Sequence, residues 1–107
     1  MNIEACQQTM HYGAMGIHLA LVAHKGDSHL RRVLDDALRN QDWPTIQIIQ
    51  SCFAALDLRE RALILTGVGH PQKIADAIAH LEIKVYLQDA WKEIVQARKE
   101  SEVLSWS

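Results

Sequence analysis

Six histidines in 107 residues are the first place to look for chemistry. His11, His18, His24 and His29 follow one another at separations of seven, six and five. A helix brings two metal ligands to one side at i and i+3 or i+4. Seven residues of helix span about 10.5 Å, too far for one ion. No HExxH or CxxC motif is present. The histidines therefore read as surface or boundary residues, and no metal is expected.

Nucleophile–base pairs read the same way. Ser28 and His29 are adjacent, but a serine there suits a helix cap. Ser51 and Cys52 fall inside a helical pattern, and no GxSxG elbow occurs. Gly67-Val68-Gly69 lacks the third glycine of a dinucleotide loop and the Gly-Lys-Ser/Thr of a P-loop. It reads as a turn between helices. Asp35 and Asp36 should face solvent, away from the apolar stripe of their helix. No catalytic residue, cofactor site or metal ligand is expected.

Composition sets the frame for these residues. A length of 107 fits one domain, residues 1–107, that buries roughly 65% of its unfolded surface. Residues 1–2 and 103–107 are the places to fray, with docking of Trp106 onto a groove the alternative for the tail. Hydrophobic residues at 49% and charged residues at 22% are the balance of a globular protein. The net charge is −2, and most cations have an acidic residue within four positions. Nucleic-acid binders usually carry a basic excess or stripe, so that partner is disfavoured. Cys6 and Cys52 lie among apolar residues and are expected as two reduced, buried thiols. The N-terminus has Glu4 and no cationic stretch, so no secretory signal is expected. The most apolar stretch, residues 13–23, is too short to span a bilayer. Cytoplasmic residence follows as the default expectation.

The periodicity predicts helices throughout. Residues 3–24 place Cys6, Met10, Ala14, Ile17 and Leu21 on one face. Gly13 and Gly16 lie inside this segment, and either close approach of a neighbour or a break near Gly13 would account for them. Gly26 suits a left-handed helix end, and Asp27 or Ser28 caps the next helix. That helix carries Leu30, Val33, Leu34, Ala37 and Leu38, the clearest amphipathic pattern in the chain. Asp42-Trp43-Pro44 opens a third helix that is apolar around a wide arc, so a central position is expected for it, with Phe53 in the core. Asp57 and Glu60 form a variant capping box before a short helix that should bury Leu58, Ala62 and Leu65. From Pro71 the pattern continues helical to about residue 102, with a phase slip. Ile74, Ile78, Leu81 and Val85 form one stripe; Leu87, Trp91, Ile94 and Arg98 form a rotated second one. A kink or short break is expected near residues 81–83. The expected architecture is all-α: a compact antiparallel bundle of five or six helices with short loops.

Two stretches resemble known units. In Gln72-Lys73-Ile74-Ala75-Asp76-Ala77-Ile78-Ala79-His80-Leu81-Glu82-Ile83-Lys84-Val85, Ala75 and Ala79 fall where a helix-turn-helix has its small residue and its turn glycine. Val85 falls at an apolar position of the recognition helix. Ala79 in place of glycine and Leu81 at a usually polar helix start depart from that pattern. The resemblance implies a DNA-binding unit reading through Tyr86, Gln88, Asp89 and Lys92. Leu38-Arg39-Asn40-Gln41-Asp42-Trp43-Pro44 resembles one helical hairpin of a tetratricopeptide repeat, which implies antiparallel helix pairs. No 34-residue recurrence accompanies it.

The leading expectation is a cytoplasmic interaction or regulatory protein acting by contact, without catalysis, and most simply a homodimer. Its candidate interface is Met10, Gly13, Ala14, Ile17 and Leu21 on the first helix with Leu87, Trp91, Ile94 and Trp106 near the end. The alternative is a transcriptional regulator using residues 72–92. An enzyme is the third class, and its mark would be a pocket holding His18, His24 or His70 beside a carboxylate.

Overall fold

The computed structural model describes residues 3–25 and 28–88, together with Glu93 and Gln96. Among the described residues five helices follow in order: α1 (Ile3–Lys25), α2 (His29–Asn40), α3 (Trp43–Ala54), α4 (Leu58–Thr66) and α5 (Pro71–Tyr86). Among the described residues there is no strand. The expected turn at Gly26, the expected fraying at both ends, and Trp91, Ile94, Arg98 and Trp106 lie outside the described residues.

Side chains written into the sequence start and stop the helices. Ser28 Oγ accepts from the Arg31 backbone N–H at 3.2 Å and caps α2. α2 ends on Gln41, whose left-handed backbone (φ 53°) turns the Asp42 N–H back to the Ala37 carbonyl at 2.9 Å. Asp42 accepts from both the backbone and the hydroxyl of Thr45, at 3.4 and 2.7 Å, which satisfies a buried threonine and caps α3. Asp57 caps α4 through the Glu60 N–H at 2.8 Å. The capping box is only half made, because Glu60 reaches across to His80 Nδ1 on α5 at 2.7 Å instead of back to its own cap. His70 caps α5 through Nδ1, and Pro71 opens it.

The core gathers α2, α3 and α5 around α1, which also meets α4. Ile17, Leu21, Leu34, Ile46, Ile49 and Leu81 are fully buried there. α1, not α3, is the central helix: it packs against all four others, while α3 packs against α1, α2 and α5. α3 buries Ile46, Ile49, Cys52 and nearby Leu56, and its Ile48 and Phe53 are half-buried at the core's edge. α1 runs unbroken through Gly13. A Cβ there would collide with the Gln50 amide, which donates to the Met10 carbonyl at 2.6 Å. Gly13 is therefore the place where a side chain of α3 reaches the α1 backbone.

Two further expectations are corrected. α5 continues without a break through residues 81–83 and ends at Tyr86. Leu81 and Val85 are four apart on one buried stripe, so the helix gains by continuing, while Ile83 points outward. The residues resembling a helix-turn-helix thus form one uninterrupted helix. α4 is rolled relative to its predicted orientation: it buries Ile64 and half-buries Leu63, leaving Leu58, Ala62 and Leu65 exposed.

Candidate interaction surface

α1 carries two apolar arcs. Residues 5–24 contain no Lys, Arg, Asp or Glu, so no charge marks which side faces water. The neighbours decide it. Ala14, Ile17 and Leu21 are 0, 1 and 0% exposed and belong to the core. They are removed as interface candidates, because a surface cannot be made of atoms already packed against four helices. Met10 is half-buried against the same core. Gly13 is overlain by Gln50. Leu87 is exposed, as an interface residue must be. Trp91, Ile94 and Trp106 fall outside the described residues.

The opposite arc of α1 holds the residues that the sequence reading missed. Tyr12 and Leu19 are 71% and 65% exposed, and Met15 and Val22 are exposed between and beyond them. Their spacing, 12, 15, 19 and 22, was legible as an apolar face. It was not legible as the outer one, because the inner arc is equally apolar. The surface continues onto α4. A Cβ at Gly16 would sit 3.6 Å from Leu65 Cδ2, so Leu65 lies beside the α1 ridge at ordinary contact distance. Leu58, Leu65 and Val68 are each more than half exposed. Isolated exposed apolar residues are ordinary, but a run of this size on adjoining elements is not.

The remaining candidates for chemistry are dispersed. His18 Nε2 lies 3.7 Å from Asp35 Oδ1, within ion-pair range but longer than a hydrogen bond, and Asp35 is held by Arg39 at 3.1 Å. Asp35 is thus partly covered and not simply solvated. His24 covers Gly67, and His70 caps α5. His11 meets Tyr12 and Trp43 edge-on, with ring centroids 6.2 and 6.4 Å away, beside a cleft of about 380 Å³ lined also by Gln7, Gln8 and Gln41. No group of three His, Cys, Asp or Glu among the described residues could hold a metal ion.

Cys6 and Cys52 are not joined to each other. Cys6 is exposed, contrary to the expectation of two buried thiols: it shares the core-facing side of α1 but lies a turn before the half-buried Met10, beyond the end of the core. Cys52 is buried beside an open groove of about 600 Å³ between α3 and the end of α5, with Ile48, Lys84 and Leu87 among its walls. Burial pushes the Cys52 thiol up, and the charge of Lys84 lowers it only in part. That combination disfavours the thiolate a nucleophile requires.

No helix among the described residues is long and apolar enough to cross a membrane. Comparison with known proteins gives no match to a protein family, a curated protein or a solved structure.

Proposed function

We propose that this protein acts by contact, as a small cytoplasmic interaction or regulatory protein without catalytic chemistry. Its working surface is the outer face of α1 joined to the outer stripe of α4. One observation carries the reading: a helix with no Lys, Arg, Asp or Glu from position 5 to 24 exposes Tyr12, Met15, Leu19 and Val22 on the side away from its own core. Such a face costs solubility and leaves much of its apolar area outside the packing of the chain that bears it. Unbridged cysteines suit a reducing compartment.

The test separates a working surface from a structural one. Leu19→Ser and Leu65→Ser should each change unfolding stability by no more than about 0.5 kcal/mol, measured at the lowest practical concentration. At the same dilution, together they should suppress the fluorescence of a dye that binds exposed apolar surface. Unfolding of either variant would show that the face is packed within the chain, and the contact reading would fall.

A further inference from the structure

We infer that the outer face of α1 is occupied by a second copy of this chain, α1 against α1 in antiparallel fashion about a two-fold axis. This rests on the contact reading above and names its partner. Tyr12, Met15, Leu19 and Val22 follow steps of three, four and three. That is the spacing of the seam along which one helix packs against another. The order of the steps is also its own reverse. An antiparallel two-fold centred on position 17 therefore lays the seam on itself, Met15 against Leu19 of the second copy and Tyr12 against Val22. Residue 17 itself points inward into the core, so the axis passes between Met15 and Leu19 on the outer side. A two-fold interface needs a patch complementary to itself, and this one is.

Charge and area favour the same occupant. Residues 5–24 offer no charge for a differently charged partner to read. Leu65, beside Gly16, extends the apolar surface past α1. With the four seam residues it exposes on the order of 500 Å² at their fractional accessibilities, at the upper end of the few hundred Å² usual on a monomer and more than half of the roughly 800 Å² per partner of a stable interface.

Sedimentation equilibrium of the full chain, with Leu19→Glu and Met15→Glu beside it, tests the pairing. The unaltered chain should be a dimer at micromolar concentration. Each substitution places two unpaired charges in the seam and should weaken the dimer on the order of 100-fold or more, with helical content unchanged. Leu87→Glu, an exposed apolar position off the seam, should leave the dimer intact. Spin labels on single cysteines introduced in a Cys6→Ser, Cys52→Ala background at positions 8 and 23 test the direction. An antiparallel pair centred on 17 puts equivalent backbones about 28 and 20 Å apart, whereas a parallel pair gives about 10 Å at both. A monomer at high micromolar concentration, a dimer that survives both glutamates, or two short distances would overturn the inference. If the chain is monomeric while Leu19→Ser and Leu65→Ser stay folded, the contact reading stands and the second copy is not its partner.

Discussion

Gly13 and Gln50 make a closed test of how α1 and α3 are joined. Replacing Gly13 by Ala removes a glycine from a helix interior, which should stabilise α1 by about 0.8–1 kcal/mol. The new methyl, however, falls on the Gln50 amide. The amide must swing away, and its 2.6 Å bond to the Met10 carbonyl is lost. A bond of this kind is worth about 1 kcal/mol net. The two effects should nearly cancel, so Gly13→Ala alone should change stability by less than about 0.5 kcal/mol. Gln50→Ala alone should cost about 1 kcal/mol by the same hydrogen-bond reckoning. The double variant should lie close to the unaltered protein, because the bond is lost only once while the helix gain is kept. The single effects should therefore fail to add by about 1 kcal/mol, a coupling readable in a double-mutant cycle. Urea unfolding at one fixed protein concentration, with equal m-values, supplies the four free energies. If Gly13→Ala stabilises by the full helix-propensity difference with Gln50 present, the amide does not occupy that space and the reasoning fails.

Three further outcomes follow from features already described. Gly67 ends α4 at φ 64° with the His24 ring over it, so Gly67→Ala should destabilise by about 1–2 kcal/mol; a neutral melting temperature would count against that turn. Iodoacetamide on the native protein should modify the exposed Cys6 well before Cys52, whose thiol is raised by burial, and mass spectrometry of the partly labelled protein should show the order. Comparable rates would mean that the core at Cys52 is open. Burial also raises the Tyr86 phenol, with Glu82 adding to it. Both shifts act in one direction. The stability they represent is complete below the ordinary thiol and phenol values and is lost as pH rises through the raised ones. Urea midpoints should fall on the alkaline side of the ordinary thiol range, and a flat profile there would contradict both placements.

The parts of this fold that were legible are those where charge and periodicity agree. α2 buries Leu30, Val33, Leu34 and Ala37 because Arg32, Arg39 and Asp36 leave only one face to bury. Ser28, Asp42 and Asp57 were readable as caps because a short oxygen-bearing side chain before an apolar run has few other uses. The stripe of α5 was readable through Val85 for the same reason of period. What could not be read was rotation. α1 offers 14, 17 and 21 on one side and 12, 15, 19 and 22 on the other, both apolar. α4 offers Ile64 with Leu63 against Leu58 with Leu65. Neighbouring helices make those choices, and the neighbours are set by the whole chain. The candidate surface lies on the two helices whose rotation the sequence left open, which is why the interface residues first drawn from α1 were those of its inner arc.

The central place of α1 has a consequence for how the chain is made. Helices are synthesised in order, and α1 precedes every element it packs against. Its inner arc meets α5 only after the roughly sixty residues that follow it have been added, on the order of 3–12 s at ordinary elongation rates. Through that interval the inner arc of α1 gains α2 and then α3 but lacks the rest of its cover. The nascent chain therefore presents α1 before the elements that cover it, and on crowded ribosomes its outer ridge can meet another nascent copy before the inner arc is fully covered.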